Sequence, residues 1–449
     1  MSTLADHTPI DKLNELLASG TYDQIRILIG ILKPVDIAAL LESSPPRERT
    51  VIWNLLVQEQ RADVLQELDE ELVGDLLAHI PTDDVVHMLE QVDSDDDLTD
   101  ILQHLPDAIT HQLLRSMDSQ DRDRVENLLS YPEDTAGGLM DTDTISVRTR
   151  VTLDVVLRYL RRHTEIPKMT DNIFVVNRHD EYIGLLPLRK LLVSDPSMKV
   201  QDMMTSEIEP IPADMHESEV AAIFARYDLV SAPVIDQKGN LLGRITIDDV
   251  VDVIQDEADH SLLGMAGLDE DDDTFAPIVK TVRSRTLWLG ANLVTAFIAS
   301  TVINIFEETI AKVIALAVLM PIVASMGGVA GSQTLTLVIR SMALGQLADS
   351  NQRWLINREL AVGAINGIVW SLLVALAVTL VFDDITLGFV IALALIINMF
   401  TAVLAGALLP SILKAMNIDP AVAGTVLLTT ITDVAGFLSF LGLATIFYA

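Results

Sequence analysis

Cysteine is absent from the 449 residues, which excludes disulfides, thiolate metal sites and cysteine nucleophiles. Basic residues are scarce: 30 Lys and Arg stand against 64 Asp and Glu, a formal net charge of −34. A chain so acidic lacks the positive surface that phosphate contacts require, and nucleic acid is not an expected partner. The opening MSTLADHTPIDK is polar and no apolar run follows it, so no signal peptide is expected and the N-terminal part should stay cytoplasmic. Charge itself is nearly missing from one half: residues 281–449 carry 7 basic and 8 acidic side chains, residues 1–280 carry 23 and 56. The mean hydropathy of +0.38 is therefore an average over an acidic part and an apolar one.

The apolar part holds five stretches long enough to cross a hydrocarbon core, which takes about 20 residues. They run near Leu287–Phe306, Ile310–Leu344, Leu360–Phe382, Ile385–Leu413 and Val422–Tyr448. Lys280, Arg283, Arg285, Arg340, Arg353, Arg358 and Lys414 fall on one side of such a bundle and only Lys312 on the other. The positive-inside rule then predicts a cytoplasmic N-terminus and an external C-terminus for a multi-pass protein of the cell (inner) membrane.

The second stretch exceeds one span and contains Pro321 and the run SMGGVAGSQTLT, with Gly327 and Gly328. Proline removes a backbone donor and glycine admits close approach, so a helix broken here and lining a pore, or tight helix packing, both fit. In the fifth stretch Asp433 sits about a dozen residues from either end, with Thr425, Thr429 and Gly436 on its helical face. An intramembrane carboxylate is by default an ion-pathway residue. The other reading is a protonated Asp433 bonding Asn398 or Asn366 as packing glue. With no Lys, Arg or His near mid-span and no catalytic constellation elsewhere, the chain does not read as an enzyme.

In the acidic part, residues 141–200 and 203–262 repeat one order of elements: helix, apolar strand, turn, apolar strand, helix. The second copy carries Gly243, Ile245, Thr246 and Asp249 as G-x-I-T-x-x-D. This resembles a tandem CBS pair, whose usual ligand is an adenine nucleotide. Before it, residues 10–130 read as short amphipathic helices, with Pro81 and Pro106 at helix boundaries 25 residues apart, as in a helical solenoid. Acids cluster at Asp93–Asp97, Asp248–Asp259 and Asp269–Asp273, where divalent cations would relieve self-repulsion.

A helical N domain, a CBS pair, an acidic linker and five spans carrying MPIVASMGGVAGSQTLTLVIR and TTITDVAG together resemble the MgtE family of magnesium channels, over nearly the whole chain. The resemblance implies a multidomain fold: an α-helical solenoid N domain (1–130), an α/β tandem CBS domain (131–262), a linker or plug helix region (250–285) and an all-α five-helix transmembrane domain (286–449). It implies a homodimer in membrane lipid whose pore is lined by the second and fifth spans, with Mg2+ both transported and regulatory. Carried over, Asp433 would be the pore carboxylate, with Pro321, Gly327, Gly328, Thr425, Thr429 and Gly436 lining the pore. Asp228, Asp249, Asp252 and Glu257, with Asp93 or Asp97, would be cytosolic sensor ligands that close the pore when Mg2+ binds. Departures are His260 and Ser261 where relatives extend the acidic helix, and Phe174, Pro187 and Lys190 in the nucleotide pattern, which predict weak or absent ATP binding. A proton-coupled divalent cation transporter and a membrane-anchored CBS nucleotide sensor are the alternative functions.

Overall fold

The computed structural model describes residues 22–448 except 79, 93, 164–165, 269–273, 277 and 348. Asp93 and the Asp269–Asp273 tract thus lie outside the described residues. The chain divides into two compact units, Met1–Gln255 with Asp273–Pro277, and Asp256–Asp272 with Ile278–Ala449.

The first unit begins with short helices: α1 (Tyr22–Ile29), α2 (Pro34–Glu42), α3 (Pro46–Leu55), α4 (Gln58–Leu65), α5 (Glu70–Leu77), α6 (Thr82–Leu89), α7 (Asp95–Gln103), α8 (Asp107–Ser116) and α9 (Ser119–Leu128). Proline punctuates them as the spacing predicts. Pro34 and Pro46 open α2 and α3, while Pro81 and Pro106 are the N-caps of α6 and α8, positions where a missing N–H costs nothing. None of these helices is long enough to be stable alone. They are held by one apolar core that includes Ile25, Leu41, Ile52, Leu65, Leu89 and Leu113. Buried Arg49 donates from Nε to Leu41 O and from Nη2 to Glu42 O, both at 2.9 Å, which ties it to the carbonyls at the C-terminal end of α2.

Two three-stranded sheets follow, with the repeat visible in their pairing. In the first, β1 (Ser146–Arg148) runs parallel to β2 (Asn172–Val176), which pairs antiparallel with β3 (Tyr182–Pro187). In the second, β4 (Ile211–Pro212), β5 (Ser231–Ile235) and β6 (Leu241–Thr246) repeat that arrangement, and β2 and β5 each shift register at the corresponding place, Val175/Val176 and Val234/Ile235. Helices α10 (Leu153–Leu160), α11 (Leu188–Val193), α12 (Val200–Met203) and α13 (Glu217–Tyr227) accompany the sheets. β2 is buried at every residue, so it reads as an unbroken apolar run rather than an alternating one. The next helix, α14 (Ile247–Met265), ends before Gly267, whose φ of +75° needs glycine. Residues 278–285 of the linker region belong to the next helix, α15 (Ile278–Ile305).

In the second unit α15, α17 (Ala315–Ala343), α18 (Asp349–Phe382), α19 (Ile385–Ala415) and α20 (Pro420–Tyr448) are long and apolar enough to cross a membrane. The overlong second stretch is interrupted at Val313–Ile314, after a short helix α16 (Glu307–Lys312), and not at Pro321. Pro321 falls in the second turn of a continuous α17, where it withholds the N–H that would reach the Ala317 carbonyl without ending the helix. Asp383 (φ 53°) and Asp384 turn α18 into α19, and Asp384 Oδ1 accepts from the Thr386 and Leu387 N–H groups at 2.8 and 3.1 Å. Helix α19 packs against α17, α18 and α20, burying Ala394, Leu395, Asn398 and Ala402. Glycines set the closest approach: a Cβ on Gly406 would lie 2.5 Å from Gly331 O, so α17 and α19 meet backbone to backbone.

Candidate functional site

Asp433 stands midway along α20, half-buried, and among the described residues it has neither a hydrogen bond nor an ion pair. The packing reading, in which it bonds Asn398 or Asn366, is not realised in this conformation. Below it on the same face, Thr429 Oγ1 donates to Thr425 O at 2.9 Å. That hydroxyl's hydrogen is spent within the helix, so its oxygen is left outward as an acceptor. The Asp433 face therefore presents a carboxylate and hydroxyl oxygens, the acceptors that the outward hydrogens of a hydrated cation seek. On α17, a Cβ on Gly328 would meet nothing within 4 Å, so Gly328 faces open space, and Pro321 is exposed. Gly327 and Gly436, by contrast, are both buried and turned to Asn398.

Two polar contacts near the ends of these helices escaped the sequence reading. Glu359, 7% exposed, accepts from Arg358 Nη1 at 2.6 Å and from Thr334 Oγ1 at 3.4 Å, linking α18 to α17. Asp419 caps α20 by accepting from Ala421 N–H at 2.7 Å and pairs with His260 Nε2 of α14. Close by, a Cβ on Gly264 would lie 3.2 Å from Val422 Cγ2, and Thr336 Oγ1 donates to Met265 Sδ at 3.5 Å. The C-terminal end of α14 is thus seated on α20 and α17. An aspartate before a proline is a cap signal that could have marked Asp419. Nothing local marks a lone glutamate as buried.

In the first unit the acids face one another. Asp249 is pushed up to about 7, foremost by burial and then by Asp248 and Asp96, against the hydrogen bond from Thr246. Asp97 is pushed up to about 6, again mainly by burial, with Asp96 and Glu67 adding to it. Asp252 is raised by burial and by Asp248, Glu67 and Asp69, and Asp141 by burial and by Asp96. Carboxylates from the helical domain and from the second repeat thus oppose each other across one face. Asp97, Asp249 and Asp252 of this set are expected from the sequence, whereas Glu67, Asp69 and Asp141 join it only through the fold. Asp228 is exposed at the left-handed C-cap of α13. Glu257 lies eight residues beyond Asp249 on α14, about 12 Å along the axis. Among the described residues no three His, Asp or Glu side chains are gathered closely enough to hold a metal ion.

Comparison with known proteins matches each region. A family of divalent cation transporters matches residues 320–443, the MgtE intracellular N domain residues 32–134, and the CBS domain residues 200–256. The magnesium transporter MgtE of Thermus thermophilus is 33% identical, over 96% of this chain and 97% of that one. Its counterpart in Bacillus subtilis is 30% identical, over 96% of each. A crystal structure of the cytosolic domain of the Mg2+ channel MgtE in complex with ATP is 34% identical, covers 54% of this chain and 99% of that one, and has a TM-score of 0.48. With its five apolar helices and relatives matched end to end, the chain is a multi-pass membrane protein that belongs to the MgtE family of magnesium transporters.

Proposed function

We propose that this protein is a homodimeric magnesium channel closed by cytosolic Mg2+. The observation that carries the reading is Asp433, an unpaired carboxylate midway along a membrane helix, on a face of hydroxyl oxygens. Magnesium gives up its waters reluctantly and is usually held through them by few carboxylates. In a two-fold dimer two Asp433 side chains would offset the charge of a hydrated ion, with Thr425 and Thr429 accepting from its shell and α17 forming the facing wall at Gly328. The acidic face supports closure by metal: Asp97, Asp249 and Asp252 repel while ionised, and a divalent cation relieves that repulsion in the compact arrangement. Asp228, Glu257 and Asp93 complete the proposed sensor as ligands to Mg2+. The acidic part is cytoplasmic and the C-terminal end external in this reading, by the charge of the loops. ATP binds weakly or not at all, because Lys190 replaces the acid that would take the ribose hydroxyls and β2 buries Phe174 where an aromatic hydroxyl would reach adenine.

Reconstitution of the full-length protein in vesicles tests the reading. Magnesium uptake with measurable conductance, suppressed by Mg2+ on the cytoplasmic face, is expected. Uptake that follows a pH gradient without conductance would instead assign Asp433 to a proton-coupled carrier.

A further inference from the structure

Asn398 is placed between the two helices proposed to line the pathway although it belongs to neither. It projects from α19 and is 0% exposed. Its Nδ2 donates to Val323 O of α17 at 2.8 Å. A Cβ on Gly327 would collide with Nδ2, and one on Gly436 would lie 2.8 Å from it, so the amide occupies a notch that two glycines cut, one in α17 and one in α20. Its Oδ1 is buried and has no hydrogen-bond partner among the described residues. An amide oxygen accepts two hydrogen bonds, and leaving it dry is costly. Leucine would fill the same notch without that cost. Packing alone therefore does not account for asparagine here.

We infer that Asn398 is a further ion-pathway residue, whose Oδ1 accepts a hydrogen bond from the water shell of the divalent cation held at Asp433. Gly436 is three residues from Asp433, one turn along the same face, so the amide borders the level of the carboxylate. Waters bound to a metal through oxygen turn their hydrogens outward and need acceptors. Asp433 and Thr429 supply acceptors only, and the orphaned Oδ1 is another. Because positions 327 and 436 carry no side chains, a small separation of α17 from α20 uncovers the amide directly. The inference rests on the proposed pathway at Asp433.

The test uses full-length protein in vesicles, with Asn398→Leu, Asn398→Asp and Asp433→Asn, reading Mg2+ flux and its block by hexaamminecobalt(III). That cation is inert to ligand exchange and presents N–H donors outward as a hydrated ion presents O–H. Asn398→Leu is expected to weaken block roughly tenfold, the worth of one hydrogen bond to a charged group, and to lower flux while the size-exclusion profile is kept. Asn398→Asp, which retains the acceptor and loses the amide donor, is expected to keep block at or above the wild-type level. Wild-type block and flux in Asn398→Leu would overturn the inference. So would loss of block in Asn398→Asp, which would leave Asn398 only its bond to Val323 and which decides the matter even if the leucine variant fails to fold. Loss of flux in Asp433→Asn with no change in Asn398→Leu removes this inference alone, whereas wild-type flux in Asp433→Asn removes the pathway reading with it.

Discussion

Asp433 is expensive to keep: translocation scales place a carboxylate at the centre of a membrane helix at roughly 2.5–3.5 kcal/mol. It is kept without a protein partner among the described residues, which argues for a partner that comes and goes. A neutral amide can take hydrogen bonds from water but cannot offset a doubly charged ion, so Asp433→Asn should cut magnesium flux by about tenfold or more. Folding and assembly, read by size exclusion, should be unchanged. A packing role predicts the opposite order, with asparagine tolerated and Asp433→Ala destabilising. Asp249 makes a different prediction at the same scale. Its folded value of about 7, and that of Asp97 near 6, lie above the ordinary 3.8, so the proton favours the folded form. Stability from this source is fully present below about 4 and is lost as pH rises through about 6 to 7. Protection factors of the α7 and α14 amides, taken relative to the base-catalysed intrinsic rate, should therefore fall from pH 5 to 8 in the metal-free full-length protein. Saturating Mg2+, which replaces the proton between the carboxylates, should flatten that trend. Protection factors independent of pH without metal would contradict the opposed-acid account.

Helix α14 is the element on which these effects converge. Its first turns carry Asp248, Asp249 and Asp252 opposite acids of the helical domain, and its last turns rest on α20 and α17 through His260, Gly264 and Met265. Replacing both Asp249 and Asp252 by Asn removes repulsion and ligands together. The loss of ligands should dominate, so that Mg2+ no longer protects the cytosolic part from proteolysis. Undiminished protection in the double variant would place the sensor elsewhere. The His260–Asp419 pair is about one-third exposed on each side, so it is worth no more than about 1 kcal/mol. His260→Ala should raise exchange at the end of α14 by less than about fivefold. The periodic parts of these elements were legible in the sequence because their signals are local. Pro81 and Pro106 cap helices where the spacing put them, the two sheets repeat one pairing, and the five spans fall within about five residues of the apolar runs except at the N-terminal ends of α15 and α18. The break at Val313–Ile314, the burial of Glu359 and the wedge of Asn398 against Gly327 and Gly436 were not legible. Each depends on which helix lies alongside, which no window of sequence contains. Pro321 does not mark the break, because one missing N–H removes a single bond and the helix on either side of it continues.

At the scale of the whole molecule, nearly all the excess charge lies before residue 281 and nearly all the membrane-crossing surface after it. A body of net charge −33 raises the local concentration of divalent cations around it. The proposed orientation, with this body in the cytoplasm, predicts that a reporter fused after Ala449 is active only outside. Activity only inside would reverse the orientation and put the sensor on the wrong side. In the proposed function a hydrated divalent cation passes Asp433 under control of the acidic face. The most direct measurement is single-channel current through the purified full-length protein in planar bilayers, with Mg2+ varied on the side of the acidic body. The account predicts discrete magnesium-carried openings that grow rarer as that Mg2+ rises and that are lost in Asp433→Asn. Openings of wild-type size in Asp433→Asn, or uptake with no conductance at all, would contradict it.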